Sequence, residues 1–285
     1  MKNSPPPTPQ IEWTARFNNG NGGQASLELT GVTLSANDAG HSGGALYNNG
    51  NDSAATAELV NSTLSGNSAG INGGGIVNLP NGGTAALTLH FVTLAGNSAK
   101  KGGALFNNAG GTINLSATLL VAGEQGKACD FSGGASLNSG GYNLDSDGSC
   151  GLAGTGDIAG GTAALAALAL NAPGDTATHA LGADSDAQRR IPSGAAGCGG
   201  PITTDQRGAP RPLPGTLCDI GAYESDADAP SPVRGGVTRP AKDQEARQRA
   251  ARLLGHNRPG VTSCYLGRSP AAVAAERTRQ GHGSP

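Results

Sequence analysis

The stretch Gly43-Gly44-Ala45-Leu46-Tyr47-Asn48 returns three times along the chain. Its copies lie at 73–78 (GGGIVN), at 102–107 (GGALFN) and, more weakly, at 133–138 (GGASLN). The asparagines that end the four copies, Asn48, Asn78, Asn107 and Asn138, are 30, 29 and 31 residues apart. A self-similar period near 30 is typical of a stacked repeat architecture.

A second recurring pattern precedes each copy of this stretch and has the alternation of a β-strand. In the segments 27–34, 57–64, 87–94 and 113–120, the first and third positions are apolar and the second is polar. This period of two indicates strands with one buried face, and no repeat has helical periodicity. We therefore expect the leucines that end these segments to form one interior column: Leu34, Leu64, Leu94 and Leu120.

Units this short must stack on their neighbours, because none can bury its apolar side alone. In equal register, each strand pairs in parallel with its copy one coil away, at about 4.8 Å. Asparagine side chains at equivalent turns, Asn48, Asn78, Asn107 and Asn138, are then expected to form a hydrogen-bonded ladder. Gly-Gly fits a sharp turn or a close approach of backbones. The sequence predicts an all-β, parallel β-helix with coils of about 30 residues.

Composition divides the chain of 285 residues into three parts. We predict a proline-rich, disordered lead-in over 1–10, the β-helix over 11–225 with a non-repetitive C-terminal cap from about 129, and a tail over 226–285. Charge separates the tail from the rest, since residues 1–225 carry 9 − 16 = −7 and residues 226–285 carry 10 − 5 = +5. The tail is expected to be mostly disordered, with at most short helices.

The cysteines form two nearby pairs, Cys129 with Cys150 and Cys198 with Cys218, and Cys264 is left over. In an exported protein these pairs predict two local disulfides, each worth about 3 kcal/mol in the loop-entropy model. These disulfides would stabilise the C-terminal cap. The alternative is reduced thiols in a cytosolic protein. No CxxC pair is present, which disfavours a zinc site.

The motifs resemble two groups of bacterial surface proteins. Leu-x-x-Asn followed by Gly-Gly-Ala-Leu resembles the repeats of polymorphic outer-membrane and autotransporter-type β-helix proteins. The later motifs resemble the choice-of-anchor Q family: GYNL at 141–144, SDGSC at 146–150, THAL at 178–181, TDQRG at 204–208 with Arg211-Pro212, and CDIGAYE at 218–224. The resemblance covers roughly 15–225. It implies a right-handed, pectin-lyase-like parallel β-helix, secretion and display at the cell surface, without common catalytic residues.

The sequence departs from this family in three respects. It shows no signal peptide, its segment 182–196 lacks the usual Ser-Pro-Ala-Ile-Asp pattern, and it shows no C-terminal anchor. No apolar run reaches the length of about 18–20 residues that a bilayer-spanning helix needs. A transmembrane segment is therefore not expected, and one interpretation is a fragment of a longer surface protein.

Few side chains suit catalysis. Glycan-cleaving β-helix enzymes need paired carboxylates, or a calcium cage with a basic residue. Glu28 and Glu58 align in one outward column but lack a third member. Asp205, Arg207 and Asp219 form the best polar cluster, and we interpret it as an ion pair that orders the C-terminal end.

Metal, nucleotide and nucleic-acid sites are not predicted, and no cofactor is expected. Asp145 and Asp147 lie in a DxDG stretch, but position 12 is Gly156 instead of glutamate, so an Asx turn is favoured over a calcium loop. The glycines lie in strand turns, and the basic tail lacks interleaved aromatics. The histidines are scattered without metal-binding spacing: His41, His90, His179, His256 and His282.

The sequence is therefore interpreted as a non-enzymatic, secreted or cell-surface protein. It would act as a monomeric stalk or adhesin-like surface for glycans or host molecules. The alternatives are a carbohydrate-active β-helix enzyme, such as a polysaccharide lyase or glycosidase, and a fragment of a longer surface protein.

Overall fold

The computed structural model describes residues 16–135, 137–212 and 217–225, and the backbone of one further strand, Ser263–Leu266. The lead-in 1–10 and the remainder of the tail lie outside the described residues. The described part is all-β and contains no helix, so no helix in it is able to span a bilayer.

Nineteen short strands make up the described structure. They are β1 (Arg16–Asn19), β2 (Ala25–Thr30), β3 (Val32–Ser35), β4 (Asp38–Ala39), β5 (Leu46–Asn49), β6 (Ala54–Ser65), β7 (Ser68–Ala69), β8 (Ile76–Leu79), β9 (Thr84–Asn97), β10 (Leu105–Asn107), β11 (Thr112–Ser116), β12 (Leu119–Ala122), β13 (Cys129–Phe131), β14 (Asn138–Ser139), β15 (Leu144–Asp145), β16 (Ile158–Ala159), β17 (Ala169–Leu170), β18 (Ala177–Thr178) and β19 (Ser263–Leu266).

Two long parallel sheets form the solenoid, and the predicted parallel β-helix is confirmed. The first sheet has the order β1-β5-β8-β10-β13, and the second contains β3-β6-β9-β12-β15-β16, with β2, β11 and β14 continuing its rows. Every pair among these strands is parallel and joins one coil to the next. We number the coils 1 to 5 from their first-sheet strands: β1, β5, β8, β10 and β13.

The predicted leucine column is confirmed. Leu34 pairs with Leu64, Leu64 with Leu94, and Leu94 with Leu120. Each of the four side chains is at most 1% exposed. Burying a leucine stabilises the fold by roughly 1.5–3 kcal/mol, so this column is a main part of the core.

Each glycine of the Gly43-Gly44 pair is required for a different structural reason. Gly43 has a φ of +72°, in the left-handed region that side chains disfavour. A Cβ on Gly44 would lie 2.1 Å from the carbonyl oxygen of Gly74 on the next coil. The first glycine thus makes the turn, and the second lets two coils approach each other.

The fourth Gly-Gly copy is not a repeat of the other three, which corrects the sequence alignment. Coil 5 begins with β13, where Leu105 pairs with Cys129 and Asn107 pairs with Phe131. Asn138 lies in β14 of the second sheet and pairs with Asn114. Coil 4 is shorter than coils 1 to 3: Asn138 meets Asn114, only 24 residues earlier. The glycines at 133–134 therefore form a turn between β13 and β14.

The described residues of 129–159 continue the stack, whereas those of 162–225, here called the C-terminal segment, lie along the side of the second sheet. Three threonines of one column hold it. Thr33 Oγ1 donates to the Ala177 carbonyl at 2.6 Å, Thr63 Oγ1 donates to Gln206 at 2.6 Å, and the Ala222 amide donates to Thr93 Oγ1 at 3.0 Å. The segment thus contacts coils 1, 2 and 3.

Both predicted disulfides are present. Cys129 is bonded to Cys150, and Cys198 to Cys218, each with an S–S distance of 2.02 Å. The first pair lies in the solenoid core. The second lies in a separate core between the second sheet and the C-terminal segment.

One strand of the tail returns to the solenoid. β19 pairs antiparallel with β3, with Cys264 opposite Leu34. The edge of β3 offers unpaired backbone groups, and β19 satisfies them. This short part of the tail therefore pairs with the first coil.

Candidate functional site

Outward side chains of β2, β6, β9, β11 and β14 form a polar surface that we call the outer face. Its central column is built by in-register pairing, because alternate residues of these strands point outward while the leucines point inward. From coil 1 to coil 5 the column reads Glu28, Glu58, Thr88, Asn114 and Asn138.

A shallow groove of about 230 Å³ crosses the outer face at coils 3 to 5. Asn138 Nδ2 donates to Asn114 Oδ1 at 3.1 Å across two coils. His90 Nε2 lies 2.9 Å from the Ala196 carbonyl, which can only accept. In the neutral ring, His90 Nδ1 is therefore left as an acceptor. The groove is lined by Thr88, Leu89, His90, Asn114, Leu115, Ser116, Asn138, Ser139 and Gly140.

Glu28 and Glu58 occupy the opposite end of the outer face. They are exposed and pair directly in register, which places them one coil apart, about 4.8 Å. The next residue in the column is Thr88, so the column holds two carboxylates and no third one. This matches the sequence interpretation of an outward pair.

The asparagine ladder exists, with one member replaced. Asn48 Nδ2 donates to Asn78 Oδ1 at 2.7 Å, and Asn78 Nδ2 donates to Asn107 Oδ1 at 3.0 Å. The ladder extends in the other direction to Asn18, which donates to Asn48 at 2.7 Å. Asn138 does not belong to it, because the shortened fourth coil places Phe131 opposite Asn107. These buried amides satisfy one another inside the solenoid.

The Leu-x-x-Asn motifs build a second ladder. Asn37 Nδ2 donates to Asn67 Oδ1 at 2.7 Å, and Asn67 Nδ2 donates to Asn97 Oδ1 at 2.8 Å. The side chains of Asn67 and Asn97 also donate to the carbonyls of Leu34 and Leu64. Both ladders are therefore structural.

Of the predicted polar cluster, Asp205 and Arg207 form a buried ion pair, with Nη2 2.8 Å from Oδ2. Arg207 also donates to the Glu224 carbonyl at 2.6 Å and lies 3.6 Å from the centroid of the Tyr223 ring. Asp205 accepts the amides of Ala209 and Glu224 at 3.0 and 2.9 Å. The pair thus holds a loop closed, as the sequence predicted.

Asp219 lies in the same cluster, next to Arg211 and Glu224, which the sequence did not single out as site residues. Its Oδ1 accepts the Arg189 amide at 2.7 Å, and its own amide donates to Glu224 Oε2 at 3.1 Å. Glu224 Oε2 also lies 3.1 Å from Arg211 Nε in an ion pair. Arg211 and Glu224 are 1% and 2% exposed. The sequence signal for both residues is their position in the Arg211-Pro212 and CDIGAYE motifs.

Burial shifts the protonation of this cluster. It raises the pKa of Glu224 to about 7, an effect that Arg211 opposes and the neighbouring Asp219 reinforces. It also raises the pKa of Asp219, against hydrogen bonds from Ser225. Three carboxyl groups thus share two guanidinium groups in a site closed to solvent. Because their oxygens face backbone amides and arginines, they order the segment and do not offer a surface to a substrate.

The carboxylates of the DxDG stretch are also occupied by backbone. Asp145 is buried and accepts the amides of Gly148 and Cys150, the latter at 3.1 Å. Asp147 accepts the amides of Ala128 and Ser149 at 3.0 and 3.1 Å. The bond from Ser149 to Asp147 has the geometry of an Asx turn, whereas Asp145 accepts amides three and five residues further on. Within the described ranges, no three histidine, cysteine or carboxylate side chains come together as metal ligands.

Comparison with known proteins adds no assignment: no family model matches the chain, and neither a curated protein nor a solved structure matches it significantly.

Proposed function

We propose that this chain is an extracellular solenoid that binds, and does not cleave, an extended ligand rich in hydroxyl groups, such as a glycan, along its outer face. The observation that carries the proposal is the groove in which Thr88, Asn114 and Asn138 of three successive coils line one surface. Two disulfides favour an oxidising compartment. The resemblance to choice-of-anchor Q proteins supports display at a cell surface.

The geometry of the outer face suits a linear polymer. In-register parallel strands place their outward groups about every 4.8 Å, so regularly spaced hydroxyls meet a polar side chain on each of coils 3 to 5. Amide and hydroxyl side chains offer both donors and acceptors, as sugar hydroxyls require. The groove is shallow, so each contact is expected to be weak and affinity to grow with the length of the ligand.

The polar groups of the chain argue against glycan cleavage. Cleavage needs two carboxyl groups that reach one sugar. Asp205, Asp219 and Glu224 converge, but they are at most 3% exposed and already bonded. Glu28 and Glu58 are exposed, but they lie at the other end of the outer face, and the groove itself has no carboxylate in its lining.

A glycan array with the oxidised protein tests the proposal. The double variant Asn114→Ala with Asn138→Ala removes two exposed amides from the groove and should weaken binding at least tenfold. Lys100→Ala, at an exposed turn away from the outer face, is the control and should bind like the parent. Equal binding by the double variant, absence of any bound glycan, or turnover of polygalacturonate, alginate or chondroitin would contradict the proposal.

A further inference from the structure

Ser65 and His179 meet where the C-terminal segment crosses coil 2. Ser65 ends β6, and its Oγ lies 2.8 Å from His179 Nε2. The other ring nitrogen, Nδ1, lies 2.7 Å from the carbonyl oxygen of Ala166. A hydroxyl, an imidazole and a carbonyl thus form one hydrogen-bonded chain between the solenoid and the hairpin that contains β17 and β18.

The Ala166 carbonyl decides which nitrogen of His179 carries the proton. A carbonyl only accepts, so Nδ1 must be the N–H of the neutral ring. Nε2 then has a free lone pair, and the Ser65 hydroxyl must donate to it. Burial lowers the pKa of His179, and the hydrogen bond to Ala166 offsets part of this effect. Because the pKa is lowered overall, the ring is neutral near pH 7. A base held by a third group, within hydrogen-bond reach of a hydroxyl, is the arrangement that activates a serine.

The residues around Ser65 are small. Its register neighbours on the adjoining coils, Ser35 and Ala95, have small side chains. The next residue, Gly66, is exposed, and a Cβ there would meet no atom within 4 Å. Ser65 itself is 8% exposed. Only a small reagent can therefore reach its Oγ.

We propose that Ser65 and His179 form a nucleophilic dyad that accepts small acyl groups from carboxylic esters. Ser65 Oγ attacks the ester carbonyl carbon while its proton passes to His179 Nε2. The bond from that carbon to the alcohol oxygen breaks, and the alcohol leaves with the proton from Nε2. Water then attacks the acyl-Ser65 ester and gives one proton to Nε2. That proton returns to Ser65 Oγ as the carboxylic acid departs.

Acylation should be easier to detect than turnover. Two neighbouring amides that could stabilise an oxyanion are already engaged: Gly66 donates to the Ala95 carbonyl at 2.9 Å, and Ala36 donates to the Ser65 carbonyl at 3.0 Å. Each donor of an oxyanion hole contributes about 10²–10³-fold to rate. The dyad lies away from the outer-face groove, so this proposal stands or falls independently of glycan binding.

Labelling of the oxidised full chain with diisopropyl fluorophosphate, followed by peptide mass spectrometry, tests the dyad. The expected result is an adduct at Ser65, formed at a rate that rises with pH as His179 loses its proton. His179→Gln should lower that rate at least tenfold, because general-base catalysis is worth about 10²–10⁴-fold. Ser35→Ala changes the neighbouring hydroxyl of the same column and should label like the parent.

Several results would overturn the dyad. They are no adduct at Ser65 in the folded protein, a labelling rate that does not rise as the pH is raised through the titration of His179, and equal rates in His179→Gln and the parent. The pH profile needs no variant, so it decides the question even where His179→Gln fails to fold. With p-nitrophenyl acetate, an acetyl group on Ser65 supports acyl transfer, whereas acetylation confined to lysines contradicts it.

Discussion

The guanidinium carbon of Arg211 lies 4.1 Å from the centroid of the Phe91 ring, and this contact joins the C-terminal segment to β9, the longest strand of the solenoid. Phe91 is fully buried and Arg211 is 1% exposed. On another side, Arg211 Nε faces Glu224 Oε2 at 3.1 Å. A buried cation is thus held between an aromatic face and a carboxyl group.

Arg211→Ala should strongly destabilise the protein. It removes the partner of Glu224 and leaves a carboxyl group buried without its cation, a loss of about 3–5 kcal/mol for a buried pair. Urea unfolding followed by circular dichroism measures it. The control is Arg190→Ala, which breaks a half-exposed pair with Asp186 at 3.0 Å and should cost under about 1 kcal/mol. Similar losses in both variants would contradict the role of Arg211.

Glu224 should make stability fall as the pH rises. Its pKa is about 7 in the folded protein, against 4.5 for an ordinary glutamate side chain, so the folded state binds more protons between these values. The contribution is fully present below about pH 4.5 and is lost as the pH rises through 7. At about 1.4 kcal/mol per pKa unit, it amounts to roughly 3 kcal/mol.

The matched variant for this pH dependence is Glu224→Gln, which keeps the shape of the protonated side chain. The free energy of unfolding of the parent, minus that of the variant, should fall between pH 5 and pH 8. His179 acts in the other direction, since its lowered pKa removes stability as the pH falls. Taking the difference from the variant cancels that contribution. A pH-independent difference would exclude Glu224 as the cause.

Asn78→Ala and Asn138→Ala should differ sharply, although the sequence assigned both residues to one ladder. Asn78 is fully buried and bonded to the asparagines on both neighbouring coils. Its loss removes one buried hydrogen bond from Asn48 and one from Asn107, each worth about 0.5–1.5 kcal/mol. Asn138 is exposed, so its loss should cost under about 0.5 kcal/mol. Thermal unfolding of the two variants checks this, and equal shifts would contradict the observed register.

Gly44→Ala should disrupt the stacking of coils 1 and 2. The new methyl group would lie 2.1 Å from the Gly74 carbonyl oxygen, and a stacked backbone cannot move aside locally. We expect a loss of at least about 2 kcal/mol, as for overpacked cores. Gly40→Ala is the control, because a Cβ there meets no atom within 4 Å. Measured stability should change little in the control, and an equal change in both would refute the close approach.

The architecture could be predicted because the repeat spacing and the strand alternation act locally. Leu34, Leu64 and Leu94 are 30 residues apart, and this spacing alone places them in one column. The fourth Gly-Gly copy was wrongly aligned with the other three because coil 4 is shortened. Cys129 stands there in the place of an aliphatic residue, so the motif that marks a coil is missing from the sequence.

The polar sites depend on how distant segments meet, and the sequence predicts them only in part. Asp205 and Arg207 are two residues apart, so their pairing follows from local spacing. Arg211 finds its place through Phe91, which lies on a different element with no periodic relation to it. Ser65 and His179 are 114 residues apart and meet only because the C-terminal segment runs back along the solenoid.

That return path restricts how the chain can evolve. Solenoids usually gain and lose repeats freely, since each repeat contacts only its neighbours. Here three threonines on successive coils form hydrogen bonds with a single non-repetitive segment. Thr33 bonds to Ala177, Thr63 to Gln206 and Thr93 to Ala222. Duplicating one coil between them would move the later contacts out of step by about 4.8 Å. The C-terminal segment therefore fits only a solenoid with one coil at each of these three contacts, so coils cannot be added or removed there without losing contacts.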